Sequence, residues 1–171
     1  TLDYGLQQAT LDGLVLEFGV LHGSSINFLA GRYQGTLHGF DSFEGLPEAW
    51  GPNRAGAYST GGQRPKVAGN VELHAGWFED SLPVFTESHP GPLRFMNVDC
   101  DLYSSTKTIF DQLADRIQPG SVIVFDEYLC TARWREDEYR AFQEAVAANG
   151  WRYRYLAHNI FSKQSVAMIT D

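Results

Sequence analysis

A chain of 171 residues with 43% apolar content is long enough for one packed core and too short for two ordinary domains. Its net charge of −8 and pI near 5 set it against a nucleic-acid backbone or an anionic membrane as partner, because either would repel it. Its two cysteines, Cys100 and Cys130, make no disulfide framework, no apolar run is long enough to span a membrane, and no basic segment leads into an apolar one at the N-terminus. The expectation is a soluble, cytoplasmic single domain with reduced, buried thiols.

Short, nearly continuous apolar runs mark strands of the kind covered on both faces. They lie at 14–18, 36–40, 71–75, 93–98, 121–125, 152–157 and 165–170. Helix-period segments fall between them at 24–31, 78–88, 104–117 and 136–149. The third is the clearest, with Ile109, Leu113 and Ile117 spaced four apart. Gln118-Pro119-Gly120 stops it, since proline cannot continue a helix and glycine permits a left-handed turn. Alternation of this kind implies right-handed crossovers and a parallel sheet. Only residues 159–163 separate the last two strands, too few for a crossover, so these two form an antiparallel hairpin. The predicted fold is α/β, doubly wound and Rossmann-like, with five parallel strands and a C-terminal antiparallel hairpin.

One stretch breaks the pattern. Residues 44–69 hold six glycines and three prolines and show no periodicity. So long a loop on the ligand-binding edge reads as a lid, with a passive insert as the alternative.

In such sheets ligands sit beyond the carboxyl ends of the strands, where strand order reverses. The first strand runs into Gly19-Val20-Leu21-His22-Gly23-Ser24-Ser25. Gly19 and Gly23 allow a tight turn, and Ser24 and Ser25 open the next helix, whose N–H groups suit an anion. A dinucleotide fingerprint needs a second glycine where Leu21 stands, so a ligand without pyrophosphate fits better than NAD. Asp41 ends the second strand about twenty residues on, placed to accept from both ribose hydroxyls. Gly76-Trp77-Phe78 ends the third strand and offers an aromatic wall for adenine. Asp99 ends the fourth strand, and Asp126 and Glu127 end the fifth. Adjacent strands lie about 4.8 Å apart, so these carboxylates converge. With no lysine or arginine in either motif, a hard divalent ion such as Mg²⁺ would compensate their charge. Asp101 reads either as part of this group or as a helix cap.

These motifs also resemble a known family. Leu16-Glu17-Phe18-Gly19-Val20, Gly39-Phe40-Asp41-Ser42-Phe43-Glu44-Gly45-Leu46-Pro47, Gly76 to Pro83, Asp99 to Thr106, and Pro119-Gly120 with Phe125-Asp126-Glu127-Tyr128 are similar to the macrocin O-methyltransferase family. Those are class I S-adenosylmethionine-dependent enzymes of secondary metabolism, and the similarity runs from about Leu14 to the C-terminus. The resemblance implies that Glu17, Gly19, Gly23 and Ser24 hold the methionine end of S-adenosylmethionine. It implies Asp41 and Ser42 at the ribose, and Gly76 and Trp77 at the adenine. Asp99 would be metal ligand and general base beside the cofactor, with Asp126 and Glu127 completing the metal site. Glu127 departs from the family's aspartate, keeping the charge but moving the oxygen.

Two further departures bear on the acceptor. Family members carry a helical segment before the first strand, whereas thirteen residues precede Leu14 here, and residues 46–71 are sparse in helix formers. The expectation is therefore an O-methyltransferase acting on a hydroxylated small molecule, with cofactor binding retained and acceptor recognition altered. His22 is the fallback base if no metal is used. The alternatives are a cofactor-binding module without turnover and, further off, an NAD-dependent oxidoreductase. No nucleic acid or membrane partner is expected, and self-association is left open.

Overall fold

The computed structural model describes residues 1–129 and 131–171. The thiol reading for Cys130 therefore lies outside the described residues, while Cys100 is a free, half-buried thiol. The chain runs α1 (Leu2–Gln8), β1 (Leu14–Phe18), α2 (Ser24–Ala30), β2 (Leu37–Asp41), β3 (Val71–Ala75) and α3 (Phe78–Ser88). It continues through β4 (Leu93–Val98), α4 (Tyr103–Leu113), β5 (Val122–Phe125), α5 (Glu138–Asn149), β6 (Arg152–Asn159) and β7 (Gln164–Thr170). All seven predicted strands are present within two residues at each end.

The sheet order is β3-β2-β1-β4-β5-β7-β6. The first five strands pair in parallel, and β7 pairs antiparallel with both β5 and β6. This is the predicted doubly wound sheet with its antiparallel hairpin. Strand order reverses between β1 and β4, which makes the carboxyl edge there the ligand-binding crevice.

Each face buries its own core. Leu16, Phe18, Phe40, Met96, Val98 and Phe125 pack under α3, α4 and α5 through Leu82, Phe85, Ile109, Phe110 and Phe142. Val15, Leu37, Phe95, Val122, Val124 and Val166 pack under α1 and α2 through Leu6, Ile26 and Leu29. The near-continuous apolar strands follow from this double cover.

Three local differences from the sequence reading have physical causes. Helix α1 was not expected, because seven residues with a central glycine form no helix unaided. It exists by packing: a Cβ on Gly5 would stand 2.7 Å from a Val124 methyl, so glycine allows the helix to lie against β5. Helix α4 ends at Leu113 and tightens into a 3-10 turn over Ala114–Arg116 before the proline stop. Helix α5 starts two residues later than expected, after the non-helical Asp137.

Candidate active site

The strand ends line up as predicted. Phe18 pairs with Phe40 and with Val98, Asp41 with Ala75, and Val98 with Phe125. Gly19, Gly76, Asp99 and Asp126, the next residues along, therefore share one edge. Over that edge lies a cleft of about 740 Å³.

Gly19 seals its floor. Its φ of +88° is left-handed, and a Cβ there would fall 1.8 Å from the Asp99 carbonyl oxygen. Only glycine lets the β1 and β4 ends touch. Asp41 then shapes the turn above. Its Oδ2 accepts the N–H groups of Val20 at 2.8 Å and Leu21 at 2.7 Å, while Oδ1 accepts that of Phe43 at 2.7 Å. Leu21 adopts a φ of +48°, which aims its N–H at the carboxylate. Three of about four lone-pair sites on Asp41 are thereby used within the chain.

Seven of the nine expected cofactor contacts line the cleft: Gly19, Ser24, Asp41, Ser42, Gly76, Trp77 and Asp99. Glu17 and Gly23 do not. Glu17 is buried beneath the turn, where Oε1 accepts from Ser25 Oγ at 2.8 Å and Oε2 from Asn97 Nδ2 at 3.2 Å. Burial pushes its pKa up to about 7 against the pull of those two bonds. Its bond to Ser25 ties the end of β1 to the first turn of α2. Gly23 is the left-handed residue before α2, with its Cα side against Pro65.

The acidic edge is more crowded than the sequence suggested. Asp99 is pushed up to about 8, by burial first and then by Asp126, Glu17, Asp101 and Glu127. Asp101, held at a φ of +62°, is raised to about 6 by burial and by Glu127 and Asp126. Glu138 was not anticipated: it is fully buried and raised well above the carboxylate range by burial and then Asp99. Its Oε2 accepts the Glu127 N–H at 3.2 Å and its Oε1 has no partner among the described residues.

A cation already serves part of this edge. Lys163 Nζ lies 3.2 and 3.1 Å from the two Glu127 oxygens, and Gln164 Nε2 donates to Asp126 Oδ1. Neither motif holds a lysine or arginine, and this cation reaches the edge from outside both. Both partners come from the β6–β7 hairpin, because Ser165 pairs with Phe125. Asp99 and Glu127 line the cleft and Asp126 does not. Their oxygens do not all come within 4.8 Å of one another.

The 44–69 segment contains no helix or extended strand and closes one side of the cleft with Gly45, Leu46, Pro47, Trp50 and Tyr58. Its ties are few. Asn27 holds its far end through Lys66 and Ala68, and Trp50 Nε1 donates to Asp137 Oδ2 at 3.1 Å. Ser104 Oγ donates to Glu48 Oε1 at 2.6 Å.

Residues 16–128 match the model of a family described as a methyltransferase domain. The chain belongs to that family. The motif resemblance to O-methyltransferases of secondary metabolism is thus upheld at the level of the domain. Among curated proteins this methyltransferase domain is similar to the 8-demethyl-8-(2,3-dimethoxy-alpha-L-rhamnosyl)-tetracenomycin-C 4'-O-methyltransferase of Streptomyces olivaceus. The two are 28% identical over 163 residues, 77% of this chain and 60% of that protein. The chain thus spans about 60% of the length of that relative. Among solved structures it is similar to the calicheamicin methyltransferase CalS11, with TM-score 0.76 and 20% identity over 98% of this chain and 76% of that one. It is also similar to an O-methyltransferase from Bacillus cereus in complex with SAH, with TM-score 0.66 and 19% identity over 99% and 79%. These structural likenesses establish the class I methyltransferase sheet.

Proposed function

We propose that the domain binds S-adenosylmethionine in the cleft and transfers its methyl group to a hydroxyl of a small-molecule acceptor of secondary metabolism. The observation that carries this reading is the join of Gly19 to Asp99 at the switch point. It sets a tight turn directly beside a half-buried carboxylate. The family membership and the rhamnosyl O-methyltransferase relative support the same chemistry.

On this reading the Gly19 turn and Ser24 receive the amino-acid end of the cofactor. Asp41, through its remaining lone pair, and Ser42 receive the ribose. Gly76 and the Trp77 ring flank the adenine. When bound, the sulfonium supplies an electrophilic methyl for in-line transfer. Asp99 accepts the acceptor's hydroxyl proton at a carboxylate oxygen, its partial burial keeping that oxygen basic. The acceptor is assigned to the part of the cleft lined by Trp50 and Tyr58 of the 44–69 segment and Thr108 of α4. Orientation of the two reactants supplies most of the acceleration.

A divalent cation suits this edge. Asp99, Asp126 and Glu127 are hard oxygen donors, and the surplus negative charge shows in the raised pKa values of Asp99 and Asp101. Held by these residues, the ion would lower the pKa of the acceptor hydroxyl. Glu127 must turn from Lys163 to join it.

Calorimetric titration with S-adenosylhomocysteine tests the first half, with micromolar binding expected. Methyl transfer to a panel of rhamnosylated and phenolic acceptors tests the second. Absent binding overturns the whole reading, whereas binding without any transfer leaves a cofactor-binding module.

A further inference from the structure

A second group of metal-ligating side chains lies under α3, away from the cleft. Register puts His38 of β2 beside Glu72 of β3 and Phe40 beside His74, so all four stand on one face. The C-terminal end of α3 brings His89 over the same patch, with its ring centroid 4.8 Å from that of His38. One donor atom from each of His38, Glu72 and His89 lies within 4.8 Å of the others, and no other described residues form such a group. His38 Nδ1 is also 3.1 Å from His74 Nε2 and 3.5 Å from Glu72 Oε2. None of the four lines the cleft.

We propose that His38, Glu72 and His89, with His74 as fourth ligand, bind one divalent transition ion of the zinc type. The spacing favours it. Donors held tetrahedrally at 2.0–2.1 Å from zinc stand about 3.3 Å apart; His38 Nδ1 is near that spacing from His74 Nε2 and Glu72 Oε2, at 3.1 and 3.5 Å, and the His89 donor lies within 4.8 Å of those of His38 and Glu72. Three imidazoles and one carboxylate suit zinc, cobalt or nickel rather than Mg²⁺.

One further feature prepares a donor. His89 Nδ1 lies 3.1 Å from the Phe85 carbonyl oxygen and 2.9 Å from Ser88 Oγ, and donation of the Nδ1 proton to that carbonyl would leave the Nε2 lone pair for an ion. A hydrogen bond of this kind orients histidine ligands in metal sites. The bound ion would clamp the end of α3 to the edge strand β3.

The test uses chelator-stripped protein with Mg²⁺ in excess, titrated with Zn²⁺ by calorimetry and with Co²⁺ by visible absorption. One ion should bind in the micromolar range or tighter, and Co²⁺ should show intense tetrahedral bands. His89→Gln and Glu72→Gln, both at accessible positions, should each weaken Zn²⁺ at least tenfold, while Asp126→Asn leaves it unchanged. Zn²⁺ should raise the melting temperature of the parent protein and not that of His89→Gln, with circular dichroism confirming that the variant is folded. No saturable Zn²⁺ binding, or binding that survives His89→Gln, overturns the site, as does binding lost only in Asp126→Asn. The outcome is independent of whether the cleft transfers methyl groups.

Discussion

Gly19 and Asp99 meet backbone to backbone, with room for nothing larger than hydrogen between them: a Cβ on Gly19 would lie 1.8 Å from the Asp99 carbonyl oxygen. This contact fixes the distance between the cofactor turn and the proposed base, and it cannot be relieved by a side-chain rotation. Gly19→Ala should therefore destabilise the fold by more than the 1–3 kcal/mol of backbone strain alone. It should also abolish S-adenosylhomocysteine binding. A denaturant midpoint equal to the parent's would show that the strands separate more easily than the geometry implies.

Asp41 carries two jobs, and substitutions separate them. Asp41→Ala removes three N–H acceptors and the ribose contact together, so S-adenosylhomocysteine affinity should fall at least tenfold, for a charged hydrogen bond of about 1.5–3 kcal/mol. Asp41→Asn keeps an acceptor for Phe43 and should lose less. Equal affinity in parent and Asp41→Ala protein would remove this residue from the site.

The fold was legible because apolar strand runs and turn residues are local signals. The site was legible only where its residues sit in the strand-end motifs. Gly19, Asp41, Gly76 and Asp99 are placed by their own strands. Lys163, Gln164 and Glu138 reach the edge through pairing of distant segments, and nothing near them in sequence announces it. The hairpin register was the one available clue, since an antiparallel strand beside β5 returns its turn to Asp126 and Glu127. A motif position says nothing about which way a buried carboxylate faces, so the bonds of Glu17 to Ser25 and Asn97 were not legible. Helix α1 was invisible because its stability lies in the Gly5 approach to Val124, a tertiary contact.

Glu17 should give the protein a measurable pH dependence of stability. Its folded pKa of about 7 exceeds the ordinary glutamate value of 4.5. The folded state then holds a proton that the unfolded state has lost across this window. Stability is fully present below pH 4.5 and falls as pH rises toward 7, by about 1.4 kcal/mol per pH unit at most. Glu17→Gln should flatten that slope while keeping an acceptor for Ser25. Urea midpoints from pH 4.5 to 7.5 measure it, and identical slopes in both proteins would reject the buried, proton-holding carboxylate.

Lys163 predicts how the proposed cation competes for Glu127. The ammonium lies 3.1 Å from Glu127 and offsets part of the charge that a divalent ion would satisfy. Lys163→Met should tighten Mg²⁺ several-fold, measured as the concentration giving half-maximal methyl transfer. Asp99→Asn should remove turnover and leave S-adenosylhomocysteine binding close to normal, because Asp41, Gly76 and Trp77 stand on other strands. Full transfer after exhaustive chelation would defeat the metal and leave Asp99 or the exposed, cleft-lining His22 as an unaided base.

The last prediction concerns residues 44–69, which we propose act as a lid hinged at one end. Asn27 accepts from Ala68 N–H at 2.8 Å and donates to the Lys66 carbonyl at 3.1 Å, so the C-terminal end of the segment is fastened to α2. At the other end, Glu48 and Trp50 reach α4 and Asp137 through single side-chain bonds. Each is a single bond to a carboxylate, one exposed and one part-buried, contributing about 1.5–3 kcal/mol, little against the entropy of a glycine-rich loop. The amides around 48–54 should accordingly exchange fast in the free protein and slow when cofactor and acceptor are both bound. Those at 67–69 should be protected throughout. Trp50→Ala should speed exchange further and raise the acceptor KM more than it weakens cofactor binding, because Trp50 lines the acceptor side of the cleft. Equal protection of 48–54 in the free and doubly bound states would make the segment a passive insert.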